Sequence, residues 1–183
     1  MATHLTTPEL KTKLIDAGKS PQDHGTLAMI VCRPESGQRS VLERADLDVE
    51  EGLIGDNWRM RGSRHTEDGS AHPEMQIAIM NSRIIQAIAR DQSQWPLAGD
   101  QLYIDLDISF ENLPVGQRIA IGSAVLEITP YPHHGCKKFS ERFGHDAIRY
   151  VNDPEAKDLR RRGVYARVVQ AGTIYVGDSV NKL

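Results

Sequence analysis

The residue in this sequence with the greatest chemical reactivity is Cys136. It lies in the segment PHHGCKKFSERFG, residues 132–144, directly before a predicted helix whose first turn carries Lys137 and Lys138. A thiol at the start of a helix and beside a lysine ionises more readily than a free thiol, and the thiolate is a nucleophile and a soft metal ligand. Two lysines at the positive end of a helix are themselves disfavoured. The arrangement therefore predicts negative charge nearby, either the thiolate itself or the phosphate of a bound ligand.

The spacing around Cys136 supports two other interpretations. Cys136, Phe139 and Phe143 lie at positions i, i+3 and i+7, the spacing of a helix face packed in a core. His133 could instead form half of a zinc site with Cys136, completed by the two histidines of HTEDGSAH, residues 65–72. That segment lacks the paired ligands of a structural zinc site, so the pattern favours surface-loop histidines.

Two basic clusters, WRMRGSR (58–64) and LRRRG (159–163), could bind phosphate. Guanidinium groups bind phosphate oxygens through two parallel hydrogen bonds, and the glycine in each cluster lets a ligand approach the backbone. We select Arg64 and Arg162 as candidate phosphate ligands, together with Lys137 beside the thiol. The alternative is that both clusters lie on the solvated surface.

Asp105 and Asp107 lie on one face of a predicted strand, because they alternate with apolar residues in QLYIDLDIS. They could act as paired carboxylates in acid–base catalysis, or they could lie on the solvated outside of a barrel. The sequence has no Gly-x-Ser-x-Gly elbow and no glycine-rich phosphate loop, which argues against acyl transfer and Walker-type nucleotide hydrolysis.

Short strands dominate the predicted secondary structure. Apolar or alternating runs predict strands in GTLAMIVCRP, MQIAIM, QLYIDLDIS, QRIAIG, AVLEIT, VYARVVQ and TIYVGDSV. Helices are predicted from Thr7, as an N-cap before Pro8, to Gly18, from Asn81 in NSRIIQAIARD, and in KKFSERF and DAIRYV. Glycines at the joints of the last strands favour hairpins that close on one another. The predicted fold class is mainly β, a closed barrel with a few peripheral short helices.

The composition sets limits on size, location and partners. The 183 residues suffice for one domain with a well-buried core. The net charge of −3 provides no general attraction to nucleic acid or to an anionic membrane. No segment approaches the roughly 20 apolar residues of a membrane span, and the N-terminus does not resemble a signal peptide. We therefore predict a cytoplasmic protein in which Cys32 and Cys136 are reduced thiols.

Several segments occur in the order found in one protein family: GLIGDNW (52–58), FENLPVGQRIAIGSAVLEIT (110–129), the Cys136 segment and RGVYARVVQAGTIYVGDSV (162–180). They resemble the MOSC domain, named from the C-terminal domain of molybdenum cofactor sulfurase. The resemblance covers nearly the whole chain. It implies a β-barrel of the pyruvate-kinase-barrel type over residues 25–183, preceded by an N-terminal helix and lead-in over residues 1–24.

The resemblance also implies a cofactor and a set of site residues. In the family, a cysteine either ligates the molybdenum of a pterin cofactor or carries sulfur as a persulfide, and Cys136 matches that cysteine. Asn112 matches the asparagine of the family's ENL motif and Asp56 the aspartate of its G-x-x-GD turn, so we expect both to contact the cofactor. We predict no pyridoxal phosphate, because the chain has no room for the desulfurase domain that holds it.

Two alternative functions follow from the resemblance. In the first, Cys136 ligates a molybdenum-pterin cofactor, His133 or His134 delivers a proton, and an N-hydroxylated small molecule is reduced with electrons from a partner protein. In the second, Cys136 holds a persulfide and passes sulfur to an acceptor without any turnover of its own. Many family members have proline directly before the cysteine, whereas this chain has HHGC, which changes the loop around the cofactor.

Overall fold

Seven strands form a closed barrel in the computed structural model, which describes residues 4–183. The described residues form eleven strands in all, seven of them in the barrel. In chain order, they are β1 (Gly25–Cys32), β2 (Ser40–Leu42), β3 (Arg44–Asp48), β4 (Gly52–Leu53), β5 (Ile77–Asn81), β6 (Leu102–Asp105), β7 (Arg118–Ile121), β8 (Ala124–Ile128), β9 (Val164–Gln170), β10 (Gly172–Tyr175) and β11 (Ser179–Lys182). Around the barrel the order is β1–β11–β7–β8–β9–β5–β6, and β6 pairs back with β1. Only β5 and β6 are parallel neighbours within that ring of described strands. The predicted mainly β barrel is confirmed.

Two further pieces of sheet extend the barrel. Strand β2 pairs with the end of β1. Strands β10, β3 and β4 form a separate three-stranded antiparallel sheet.

Short helices connect and cover the strands. They are α1 (Thr7–Ala17), α2 (Trp58–Arg61), α3 (Ser82–Ile88), α4 (Lys137–Phe143) and α5 (His145–Val151), with 3-10 turns at Pro73–Met75, Gln92–Ala98 and Pro154–Leu159. The first helix begins where predicted, but its N-cap is Thr6 rather than Thr7. The reason is Glu9, whose carboxylate accepts hydrogen bonds from the backbone N–H and the hydroxyl of Thr6, each at 2.7 Å.

The apolar side chains form two cores on opposite faces of the barrel wall. Alternate residues of β6 and the segment after it, Leu102 to Ile108, fill the barrel interior as their spacing predicts. The outer face of β1, β5 and β6 is covered by helices, and there Tyr103 is fully buried among Leu10, Met80 and Phe139. Among residues 4–183, no helix has the length and apolar character needed to cross a bilayer.

The two candidate carboxylates, Asp105 and Asp107, lie in different segments of the chain. The Asp105 carboxylate accepts two hydrogen bonds from the Arg83 guanidinium, at 2.8 and 2.9 Å. Strand β6 ends at Asp105, so Asp107 lies in the following loop, where its carboxylate accepts a hydrogen bond from the backbone N–H of Ser109 at 2.9 Å. Each carboxylate therefore has a local structural partner.

Candidate functional site

Cys136 lies at the end of the loop that leads from β8 to α4. Its carbonyl accepts hydrogen bonds from the backbone N–H groups of Phe139 (2.9 Å) and Ser140 (3.2 Å), so the helix begins directly after it. The thiol is exposed and forms no disulfide, whereas Phe139 is 1% exposed and Phe143 is 4% exposed. The packed-core interpretation of Cys136 is therefore wrong, because α4 buries its phenylalanines while the cysteine stays at the surface.

The residue before Cys136 is held in place by Asn152, at the end of α5. The Gly135 backbone N–H donates to Asn152 Oδ1 at 2.7 Å, and Asn152 Nδ2 donates to the Gly135 carbonyl at 3.0 Å. The contact is tight, since a Cβ on Gly135 would lie 3.2–3.3 Å from side-chain atoms of Ile148, Val151 and Asn152. A larger residue would thus push the cysteine loop away from α5.

His133 and His134 are adjacent but lie in opposite environments. The His133 imidazole is 5% exposed and packs on the Tyr165 ring, with centroids 4.2 Å apart. Its Nδ1 lies 3.7 Å from Asp100 Oδ1 and has no hydrogen-bond partner among the described residues. Burial lowers the pKa of His133 well below its usual range, and the charge of Arg162 adds to that effect. His133 is therefore neutral at pH 7, which leaves the exposed His134 as the better placed proton donor.

Arg162 is buried and bound to Asp100. Its Nη1 donates to both carboxylate oxygens, at 2.9 and 2.8 Å, and its Nη2 donates to the Ala98 carbonyl at 2.9 Å. The guanidinium also lies over the Phe139 ring, 5.0 Å from its centroid. Burial raises the pKa of Asp100, and the charge of Arg162 opposes that rise. The structure thus gives this candidate phosphate ligand an internal partner.

Asp56 is held inside the protein in a similar way. Its carboxylate accepts hydrogen bonds from Arg33 Nε and Nη2, each at 2.8 Å, and from the backbone N–H of Trp58 at 3.0 Å. Neither side chain of the pair is more than 8% exposed. The G-x-x-GD turn is therefore anchored to the end of β1 by its aspartate.

Asn112 connects three separate parts of the chain. Its Nδ2 donates to the carbonyls of Gln22 (2.9 Å) and Asp107 (2.7 Å), and its Oδ1 accepts from Lys182 Nζ at 2.9 Å. These contacts join the lead-in, the loop after β6 and the last strand. Asn112, the asparagine of the ENL motif, therefore has a structural role. A contact between Asn112 and a cofactor stays a prediction.

Lys137 and Arg64 are the two candidate phosphate ligands that face solvent. The Lys137 side chain is 91% exposed and its Nζ lies 3.8 Å from a Glu141 carboxylate oxygen. Arg64 is exposed and makes no hydrogen bond or ion pair within residues 4–183. Both side chains are therefore accessible to an anion from solvent, and the Lys137–Glu141 pair is exposed.

A cavity of about 430 Å³ opens on the same loop as Cys136. His133, His134, Lys157 and Arg160 are among its lining residues, and its apolar wall includes Phe110. Its volume falls in the range of small-molecule sites. Cys136 follows His134 by two residues and does not line the cavity, but Asn152, which holds the adjacent Gly135, does.

The histidines considered for zinc pack on an aromatic ring. The ring centroids of His65 and His72 lie 5.7 and 4.6 Å from that of Tyr131. In the described part of the chain, no three His, Cys, Asp or Glu side chains gather as a possible metal site. The two histidines thus have a packing role at the edge of the loop.

Sequence reasoning missed four residues that shape the site, namely Arg33, Asp100, Asn152 and Tyr165. One usable signal is charge next to a buried strand: Arg33 directly follows β1, and Asp100 stands two residues before β6. Charges in such places are retained only when they are paired. Asn152, at the end of a predicted helix, has no comparable signal, because its partner is a backbone group of another segment.

The donor set fits a molybdenum-pterin cofactor at the thiol. Cysteine sulfur is a soft ligand suited to such a metal, and Cys136 offers it at the surface without a competing disulfide. The cavity on the same loop contains a buried imidazole with an unpartnered nitrogen. Cys136 would hold the metal, and of the predicted phosphate ligands Lys137 and Arg64 are the two without a buried internal partner.

Comparisons with known proteins agree with this fold. The family model of the MOSC domain matches residues 66–181. Among solved structures, YuaD from Bacillus subtilis is 17% identical with a TM-score of 0.59, and the alignment covers 85% of this chain and 93% of YuaD. YiiM from Escherichia coli is 16% identical with a TM-score of 0.54, covering 86% of this chain and 69% of YiiM. A search of the curated proteins finds no match. Because this match covers more than half of the chain, the chain belongs to the MOSC domain family, which is associated with molybdenum cofactor binding.

Proposed function

We propose that this protein binds a molybdenum-pterin cofactor through the Cys136 sulfur and reduces N-hydroxylated small molecules there. The observation that carries the proposal is the position of Cys136, exposed at the end of a fixed loop and beside a cavity of ligand size. The family association supplies the class of cofactor.

The chain's own residues have three roles in this proposal. When bound, the metal centre supplies two-electron redox chemistry. Asn152 fixes the Gly135 peptide and so orients the cysteine loop. His134 delivers a proton to the departing oxygen, and His133, being neutral and buried, shapes the cavity wall.

The electrons come from outside the chain. Converting N–OH to N–H consumes two electrons and two protons and releases water. The sequence shows no flavin or nicotinamide motif. A partner protein is therefore proposed as the electron donor.

The proposal is tested with protein purified from cells that make the cofactor, using a chemically reduced viologen as donor and an N-hydroxylated purine as substrate. We expect turnover by the wild type and none by Cys136→Ser. His134→Gln should lower kcat, while His145→Gln, a change at an exposed histidine of α5, serves as the matched control. Equal turnover by wild type and Cys136→Ser would contradict the proposal.

A sulfur-carrier function is the second candidate, and one observation favours it. The Cys136 thiol lies outside the cavity and is exposed, so a persulfide there could be reached by a macromolecular acceptor. Cyanide-labile sulfur on the wild type, absent from Cys136→Ser and unaccompanied by molybdenum, would support the carrier over the reductase.

A further inference from the structure

Four arginine side chains converge on the short loop that follows the 3-10 turn at Gln92–Ala98. Three consecutive backbone carbonyls of this loop each accept a hydrogen bond from a different arginine: that of Leu97 from Arg142 (2.6 Å), that of Ala98 from Arg162 (2.9 Å) and that of Gly99 from Arg33 (2.9 Å). The fourth is Arg39, whose Nη2 lies 3.8 Å from the position that a Cβ on Gly99 would occupy. Four positive charges therefore lie around one loop.

Two of these four charges are neutralised inside the protein. Arg33 pairs with Asp56 and Arg162 pairs with Asp100, each at 2.8 Å, and all four of these side chains are at most 8% exposed. The two buried carboxylates therefore compensate the two buried arginines, and they leave the charges of the two outer arginines uncompensated.

The outer arginines, Arg39 and Arg142, are half-buried. Within residues 4–183 their hydrogen bonds go to backbone carbonyls, that of Gln38 for Arg39 and that of Leu97 for Arg142, and neither guanidinium forms an ion pair. A carbonyl satisfies an N–H group but does not cancel a full positive charge. Two charges that are partly removed from water without an opposite partner are costly, so this surface is suited to an anion from outside.

The surroundings of Arg39 show this cost most clearly. Its Nε is buried and has no hydrogen-bond partner among the described residues. Burial lowers the pKa of Arg39, the charges of Arg33 and Arg142 lower it further, and the smaller effect of Asp56 opposes them. An anion beside the guanidinium would relieve the repulsion between these like charges.

This surface is separate from the Cys136 cavity. Arg142 lies in the last turn of α4, whereas Cys136 precedes the first turn, six residues earlier and thus about 9 Å away along the helix axis. Arg39 lies in the loop between β1 and β2. Neither arginine lines the cavity that contains His133 and His134.

We propose that Arg39 and Arg142 together bind an oxyanion, phosphate or sulfate, either free or as the terminal group of a small molecule. The two guanidinium groups lie beside Leu97 and Gly99, which are two residues apart in the chain and so separated by at most about 7 Å. Guanidinium groups bind such oxygens through paired hydrogen bonds, and a tetrahedral oxyanion has enough oxygens to contact both groups. The proposal concerns the protein without cofactor and does not depend on the reaction proposed above.

The test compares thermal unfolding of the full chain in sodium phosphate, sodium sulfate and sodium chloride at equal ionic strength. We expect phosphate or sulfate to raise the Tm saturably and chloride not to, because an anion that binds only the folded state stabilises it. General salting-out by phosphate and sulfate does not saturate and is shared by all variants. Methyl phosphate distinguishes the two sources of the anion: a rise as large as that with inorganic phosphate identifies a site for a phosphate ester, and a rise with the inorganic anions alone identifies a site for the free ion.

Variants then locate the site. Arg39→Gln and Arg142→Gln should each weaken the apparent phosphate affinity about tenfold, as expected for loss of a charge-assisted pair of hydrogen bonds. Arg39→Lys, which keeps the charge but not the paired hydrogen bonds, should lie between Arg39→Gln and the wild type. Arg149→Gln, which removes the same charge from an exposed position on α5, is the matched control and should respond to phosphate as the wild type does.

The proposal is overturned if phosphate and sulfate raise the Tm no more than chloride does, or if the saturable rise is unchanged in both Arg39→Gln and Arg142→Gln. It is also overturned if these variants lower the Tm by the same amount with and without phosphate, since the two arginines would then have a structural role only. Cys136→Ser should respond to phosphate as the wild type does. A protein that binds phosphate but carries no molybdenum would therefore contradict the proposed function alone.

Discussion

The three arginines of LRRRG show how one residue type serves three purposes in consecutive positions. Arg160 borders a cavity, Arg161 donates to the Tyr150 carbonyl of α5 and pairs with Asp153, and Arg162 neutralises buried Asp100. From the sequence, the cluster could be recognised as phosphate-binding or solvated. Neither alternative describes Arg162, because its partner lies 62 residues away in the chain.

Removing Arg162 should strongly destabilise the protein. Arg162→Met leaves the Asp100 carboxylate buried without a partner, and we expect a loss of about 3–5 kcal/mol in the free energy of unfolding. Urea unfolding measures it. Arg118→Met is the control, because the Arg118–Glu127 pair is 56% and 15% exposed and should contribute about 1 kcal/mol or less. Equal losses in the two variants would contradict the buried-pair account.

His133 should make the protein less stable in mild acid. The pKa of His133 is lowered in the folded state, so near pH 6.5 the imidazole takes up a proton in the unfolded chain but stays neutral in the folded protein. The free energy of unfolding therefore falls as the pH drops below about 6.5, by up to roughly 1.4 kcal/mol per pH unit for this one group. Urea unfolding of wild type and His133→Gln at pH 7.5 and 6.0 checks the sign. A wild-type loss no larger than that of the variant would show that His133 is not responsible.

Helix caps and apolar periodicity in the sequence predicted the helices and strands that carry the site. Asn81 was recognised as a helix start, and its Oδ1 accepts from the backbone N–H groups of Arg83 (2.9 Å) and Ile84 (3.1 Å). The segment from β2 to β4 was not predicted, because strands of two to five residues with few apolar side chains give too little periodicity. The contact between the cysteine loop and the end of α5 was also missed, because it joins the side-chain amide of Asn152 to backbone groups of Gly135, which give no sequence pattern.

The cysteine loop should loosen when its contact with α5 is removed. Asn152→Ala deletes both hydrogen bonds to Gly135, and we expect a loss of about 1–3 kcal/mol in the free energy of unfolding. The more specific expectation is faster hydrogen exchange of the Gly135 amide. Asp91→Ala, which removes a cap of the 3-10 turn at Gln92–Ala98, is the control. If the Gly135 amide exchanges at the wild-type rate in Asn152→Ala, the two hydrogen bonds from Asn152 do not hold the cysteine loop.

The barrel is closed by pairing between its first strand, β1, and its last strand, β11. Strand β1 pairs with β11 at Gly25–Val180 and Thr26–Ser179, and β11 pairs in turn with β7. The sequence predicted a barrel from its short strands and glycine joints. It could not predict the parallel β5–β6 pair or the closing contact, since both depend on packing between distant segments.

Deleting the last strand should open the barrel. A chain that ends after Asp178 lacks β11, which exposes the edges of β1 and β7 and removes the fully buried Val180. We expect loss of the cooperative thermal transition and aggregation, measured by circular dichroism and size-exclusion chromatography. Deletion of Leu183 alone, which is 68% exposed, should leave both measurements close to wild type. A folded monomer from the longer deletion would contradict this account of closure.

The measurement that bears most directly on the proposed function is the molybdenum content per chain of protein purified from cells that make the cofactor. We predict close to one molybdenum per wild-type chain, little or none in Cys136→Ser, and wild-type content in Cys32→Ala, where the other cysteine is buried and away from the loop. Full molybdenum content in Cys136→Ser would contradict the assignment of Cys136 as the metal ligand.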